Sequence, residues 1–98
     1  MKAIWYEKQG DASEVLIFGE MDKPVPQDNE VLVKVSFSGL NPSDTKRRSG
    51  FRGQKQAFPK IIPHSDGSGI IEAVGSNVNK NRVGERVWLY SAQWQRPF

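Results

Sequence analysis

Apolar residues occur in short runs separated by Pro, Gly, Asn and Asp, which is the rhythm of a β-rich chain. Ala3–Tyr6 and Val15–Phe18 predict the first two strands, the second closed by Gly19. In Glu30–Ser38, Val31, Val33, Val35 and Phe37 alternate with Leu32, Lys34, Ser36 and Ser38, which predicts a strand with one apolar face. Ile70–Val74 and Arg86–Tyr90 predict two more strands. Pro24, Pro26, Asp28 and Asn29 mark the turn before the third strand. Gly75-Ser76-Asn77 and Gly84-Glu85 bracket a polar loop. One stretch breaks the pattern. Asn41-Pro42-Ser43-Asp44-Thr45-Lys46-Arg47-Arg48-Ser49-Gly50 opens with Asn in an N-cap position and Pro where a helix tolerates it, and it ends on a Gly suited to a helix C-terminus. It predicts one or two helical turns, followed by a loop from Phe51 to Ile62. The pattern as a whole predicts a small barrel or sandwich.

With 98 residues and 37% hydrophobic content, the sequence can support one core. A chain of this size buries roughly 60–70% of its unfolded surface, so a two-domain enzyme does not fit within these residues. The absence of cysteine rules out disulfides, thiolate catalysis, Cys-ligated zinc and iron–sulfur clusters within them. The single histidine, His64, argues against a catalytic zinc site, and its expected role is that of a partly exposed loop residue. No apolar run approaches the roughly 20 residues that span a bilayer. The first residues lack the apolar stretch of a signal peptide, so a soluble, cytoplasmic protein is expected. Ser91–Phe98 carries Trp94 and Phe98 but no terminating strand. If a barrel is being built, its closing strands are missing, which predicts an open edge and a truncated domain.

The net charge of +3 is unevenly placed. Up to Asp44 acids outnumber bases, and from Thr45 onward bases dominate. Lys46, Arg47, Arg48, Arg52, Lys55 and Lys60 form a run free of acids. Such a run faces solvent, a nucleotide phosphate or a nucleic acid.

Three segments carry a family resemblance. Asn41-Pro42-Ser43-Asp44-Thr45 with Arg48-Ser49-Gly50 resembles the "NPxD…RSG" segment of quinone oxidoreductases. Ser65-Asp66-Gly67-Ser68-Gly69-Ile70-Ile71-Glu72-Ala73-Val74-Gly75-Ser76-Asn77-Val78 resembles their "GSDxxGxVxxVGxxV" segment. Val83-Gly84-Glu85-Arg86-Val87 resembles "xxGDRV", with Glu for Asp. Order and spacing match along nearly the whole chain. The chain is identified as resembling the N-terminal GroES-like domain of the zeta-crystallin/quinone oxidoreductase family, zinc-free members of the medium-chain dehydrogenase/reductase superfamily. The resemblance implies a mainly β, partly open GroES-like barrel with one short helix. It also implies NADPH as hydride donor, bound mainly by a Rossmann domain that follows this one and is absent from these residues. The implied substrate is a quinone or enone, and the implied full-length assembly is a homodimer. The isolated residues are expected to be inactive.

The same resemblance supplies candidate site residues. Zinc-dependent alcohol dehydrogenases of the superfamily have a Cys ligand where Asn41 stands and a His ligand where Ser65 stands. Neither replacement is a good Zn²⁺ ligand, and His64 lies one place off, so no metal is expected. A conjugated acceptor spreads the incoming charge, and hydrogen-bond donors can then replace a Lewis acid. Asn41 is thus a catalytic and cofactor-side candidate that orients the substrate carbonyl or the nicotinamide ribose; the alternative is that it only caps the helix. Ser43 matches a proton-relay position of the zinc enzymes that is commonly apolar in quinone oxidoreductases, with an exposed helix serine as the alternative. Lys46 and Arg48 are cofactor-side candidates, Arg48 with salt-bridge or domain-packing roles as alternatives. Ser65 and Asp66 are candidates for the substrate pocket wall, and Asp44 and Asp66 for holding loops through backbone N–H groups. Gly67, Gly69 and Gly75 do not form a G-x-G-x-x-G fingerprint.

Two other classes compete. A nucleic-acid-binding barrel would stack bases on Phe51, Phe58, Trp88 and Trp94 beside the Lys46–Lys60 run, but the modest charge makes it the weaker reading. A non-catalytic module would pair or swap through the open edge, which could also dimerise the fragment.

Overall fold

The computed structural model describes residues 1–94, 96 and 97, the side chain of residue 94 excepted. Strand β1 (Lys2–Trp5) pairs antiparallel with β2 (Ile17–Glu20), with Lys2 opposite Glu20 and Trp5 opposite Ile17. A single helical turn, α1 (Ala12–Val15), lies between them. The strand predicted over Val15–Phe18 therefore starts later. Val15 closes the turn, its N–H donating to the Asp11 carbonyl at 3.0 Å, and packs into a cluster with Tyr6 and Ile61. Tertiary burial of that one side chain outweighs the β preference of a β-branched residue. Gly19 lies inside β2 because the Trp5 ring covers it: a Cβ there would meet Trp5 Cη2 at 3.0 Å.

A three-stranded antiparallel sheet follows, ordered β3 (Val31–Gly39), β4 (Asp66–Val74) and β5 (Arg86–Leu89). Strand β4 begins well before the predicted Ile70. Its glycines let two backbones approach closely, and a Cβ on Gly69 would sit 2.1 Å from the Lys34 carbonyl oxygen. The predicted single apolar face of β3 also needs correction. Register shifts fall at Leu32/Val33 and Val35/Phe37, so Val35 pairs with Gly69 while Phe37 pairs with Ser68. Neighbouring residues on β4 face opposite sides, so Phe37 crosses to the face opposite Val35. There it shares a side with Trp88, which also pairs with Ser68. Phe37, Trp88 and Tyr90 are exposed, and the last two rings lie 6.3 Å apart.

Helix α2 (Pro42–Ser49) occupies the predicted place and stops at Gly50, whose φ of 76° is left-handed. The predicted loop beyond it contains a tight turn at Phe51–Gly53 and ends on a bridge between Tyr6 and Ile61, with N–H···O bonds of 2.9 and 3.0 Å. Two further 3₁₀ turns occur at Lys80–Arg82 and Ala92–Trp94, each of three residues, beside the longer helix α2.

Among the described residues the buried apolar ones are few: Trp5, Tyr6, Val15, Ile61 and Ile71. The radius of gyration is 14.2 Å, against about 13 Å for a compact domain of this length. The two sheets do not close on each other, so the mainly β, partly open architecture is the one expected. Among the described residues no helix is long and apolar enough to cross a membrane.

Candidate functional site

The site begins where β3 ends. Asp44 turns its carboxylate back over the start of α2, and Oδ2 accepts the Asn41 N–H at 2.7 Å. The Asp44 N–H donates to the Asn41 carbonyl at 3.0 Å. This capping-box arrangement fixes Asn41 at the helix entrance. Its side-chain Nδ2 donates across to Asp66 Oδ2 at 2.8 Å. The other Asp66 oxygen accepts the Ser91 N–H at 2.9 Å. One carboxylate thus ties together the start of α2, the start of β4 and the turn after β5. The Ser91 N–H first and the Asn41 amide second hold the Asp66 carboxyl below its ordinary value of 3.8, because both bonds favour the charged form.

Ser65 is buried one residue earlier. Its carbonyl accepts the Ala92 N–H at 2.8 Å, and its Oγ accepts from Arg47 Nη1 at 3.3 Å. Asn41, Ser65 and Asp66 therefore converge where α2 meets β4. Ser43 is exposed in the first turn of α2, outside these contacts. Lys46 Nζ lies 5.1 Å from the centre of the Phe51 ring, and the Arg52 guanidinium approaches the same ring at 5.2 Å. Arg48 Nη1 donates to the Gly10 carbonyl at 2.6 Å while the Gly10 N–H returns a bond to the Arg48 carbonyl at 2.9 Å. That reciprocal pair latches α2 to the loop before α1. His64 is half-buried with a φ of 81°, and its Nδ1 lies 2.7 Å from Ser38 Oγ, a partner its sequence neighbours gave no sign of.

Sequence reasoning missed Arg47 and Gln93. Arg47 was visible only as one cation in a run, whereas its place three residues after buried Asp44 puts it on the inward face of α2, where it reaches Ser65. Beside it lies a pocket of about 140 Å³, lined by Tyr6, Lys55, Phe58, Ile61 and Gln93 among others. Burial pushes the Tyr6 hydroxyl above its ordinary value of 10.0; Arg47 and Arg48 oppose that shift and Asp44 adds to it.

The rest of the cationic run is dispersed. Lys60 sits 5.1 Å from the Trp5 ring and 3.6 Å from a Glu7 oxygen, and Phe58 packs against the core cluster. Trp88 belongs to the three-stranded sheet, and the Trp94 ring lies outside the described residues. The stacking surface a nucleic-acid reading requires is not assembled by Phe51, Phe58 and Trp88.

A strand pair, a three-stranded antiparallel sheet and a capped helix whose first residue meets the start of β4 define a GroES-like domain. Residues 27–96 match the family described as "Alcohol dehydrogenase GroES-like domain", and the chain belongs to that family. It is 41% identical over 91 residues to the quinone oxidoreductase of Mus musculus, covering 93% of this chain and 27% of that protein. Quinone oxidoreductase of Escherichia coli, solved in complex with NADPH, superposes with a TM-score of 0.75 at 31% identity, over 90% of this chain and 26% of that one. A quinone oxidoreductase from Pseudomonas syringae pv. Tomato gives a TM-score of 0.79 at 32% identity, over 92% of this chain and 28% of that one. The chain thus spans about a quarter of the length of these relatives, 27% for the mouse protein.

Proposed function

We propose that the chain is the substrate-side domain of an NADPH-dependent oxidoreductase that passes hydride to a quinone or an α,β-unsaturated carbonyl without zinc. The observation that carries this reading is the polar cluster at the helix entrance, with Asn41 bonded to Asp66 and Ser65 bonded to Arg47. An amide and a hydroxyl are weak ligands for Zn²⁺. A guanidinium 3.3 Å from Ser65 Oγ also places positive charge where a metal's ligand would have to face a cation. Zinc does not fit these residues.

Hydrogen-bond donation does fit. An amide NH₂ carries two donors, so Asn41 keeps one on Asp66 and offers the second to an acceptor carbonyl or a ribose hydroxyl. Asp66 holds that amide in place, and with Ser65 it forms the wall of the substrate site. Bound NADPH supplies the hydride. Lys46, exposed and in no ion pair among the described residues, suits a ribose hydroxyl or a phosphate oxygen, and Arg48 does so with the guanidinium nitrogens not held by Gly10. Ser43 is an exposed hydroxyl available to carry a proton. In this reading the remaining cofactor contacts come from outside the 98 residues, and the complete protein works as a homodimer in the cytoplasm.

A chimera tests the proposal. These residues replace the matching segment of the mouse quinone oxidoreductase, and NADPH oxidation is followed with 1,4-naphthoquinone. The expected outcome is quinone-dependent oxidation unaffected by chelator and lowered about 10-fold or more by Asn41→Ala. A folded chimera that ignores quinones, or one silenced by removing zinc, defeats the reading.

A further inference from the structure

We propose that the turn after α2, with Lys46 and Arg52 gathered on Phe51, is a binding site for a diphosphate group. The site goes beyond the redox reading and is argued from its own geometry. Lys46 Nζ and the Arg52 guanidinium both approach the exposed Phe51 ring, at 5.1 and 5.2 Å from its centre. Two like charges drawn to one ring repel each other, and an anion beside them offsets that repulsion. Neither cation is in an ion pair with a described residue, and the sequence has no acid from Thr45 to Ser65.

The backbone holds this arrangement under strain. Arg52 has φ 54° and ψ 32°, a left-handed conformation that residues with a Cβ rarely adopt, whereas Gly50 and Gly53 take φ of 76° and 74° freely. Strain of this kind persists where the surroundings over-determine it. Gln9 does so here: its Nε2 donates to the Arg47 carbonyl at 2.9 Å and to the Gln54 carbonyl at 2.7 Å, pinning both ends of the turn. A helical residue followed by a left-handed one, as at Phe51 and Arg52, turns successive N–H groups to one side in a concavity that suits an anion. The Phe51 and Arg52 N–H groups are bonded to no described residue. The Lys46, Arg47 and Arg48 carbonyls accept bonds from Gly50, Gln9 and Gly10, which blunts the negative charge that a helix end turns on an anion. A diphosphate offers one phosphoryl group to each cation and further oxygens to the turn.

Inorganic pyrophosphate is the probe, titrated at constant ionic strength into the ¹⁵N-labelled 98-residue chain and followed by two-dimensional NMR. The expected result is saturable shifts centred on the Phe51, Arg52 and Gly53 amides. Arg52→Gly removes the guanidinium and suits the left-handed φ, so it should weaken pyrophosphate about 10-fold without lowering the denaturation midpoint. Lys46→Gln should weaken it severalfold. Lys34 and Arg86 are exposed cations aligned across Ile70 in the three-stranded sheet, and equal shifts around them overturn the proposal, because they show screening of surface charge alone. Unchanged affinity in Arg52→Gly overturns it too, as does the absence of saturation up to about 50 mM. The NADPH dissociation constant of the chimera, read by fluorescence, identifies the source of the group. A rise with Arg52→Gly assigns the cofactor's diphosphate; no change, with pyrophosphate still bound by the unaltered turn, assigns a separate diphosphate-bearing ligand. A chimera that ignores quinones defeats the redox reading and leaves the pyrophosphate titration to decide this one.

Discussion

Asp66 shows how much one side chain can decide. Both of its oxygens are used, one by Ser91 and one by Asn41, and its folded pKa is depressed as a result. A depressed carboxyl contributes stability above its unfolded value, and that contribution is lost as the pH falls below 3.8 and through the lower folded value. Acid titrations of stability by circular dichroism should therefore show a steeper loss for the wild type than for Asp66→Asn over that range. Glu85, depressed by Arg82, titrates in the same direction in both proteins and cancels in the comparison. Tyr6 behaves oppositely. Its pKa is raised, mainly by burial, so its contribution is complete below 10.0 and disappears as the pH climbs through the folded value. Tyr6→Phe should flatten the alkaline end of the stability curve, and unchanged curvature above 10.0 would count against the burial argument. The motif spacing singled out Asn41 and Asp66, but not that they bond to each other. Arg47 was one of six similar cations, and only the helix phase separates it from Lys46 and Arg48.

Elements follow the sequence where a local device fixes them. Asn41, Pro42, Asp44 and Gly50 bound α2 because a cap, a fixed φ, a returning carboxylate and a left-handed terminus act within a few residues. Asp44→Ala should lower stability by about 1–2 kcal/mol in chemical denaturation, since it strips the Asn41 N–H of its acceptor. Strands are less local. The bulge that turns Phe37 away from Val35, and the glycine stretch that extends β4 back to Asp66, both depend on which backbone lies alongside. Gly69 makes the dependence testable. A methyl group there would overlap the Lys34 carbonyl, so Gly69→Ala should cost about 3 kcal/mol or more, whereas Gly53→Ala, with open space around the position but a φ of 74°, should cost about 1 kcal/mol. Similar losses for the two would show that the β3–β4 approach is looser than described. Val15 is the opposite case, a residue of β character drawn into a helical turn by its contact with Tyr6 and Ile61.

At the scale of the molecule, a small core and two unclosed sheets leave Phe37, Trp88 and Tyr90 between 75% and 76% exposed. A triple substitution of these residues to Ser should reduce binding of a hydrophobic dye while changing stability by only about 0.5 kcal/mol per site. Without a G-x-G-x-x-G segment, the 98 residues should show no saturable NADPH binding below the millimolar range, by fluorescence or calorimetry; a micromolar dissociation constant would relocate the cofactor site. The sequence by itself determined the family, the β-rich class, the capped helix and the choice of Asn41, Ser65 and Asp66 as candidates. Each is written in contiguous residues or fixed motif spacing. Only the tertiary structure decided which cation reaches Ser65, which face Phe37 occupies and where a pocket opens. Those outcomes depend on contacts between segments far apart in the chain, where backbone approach and shared burial, rather than local preference, set the lowest free energy.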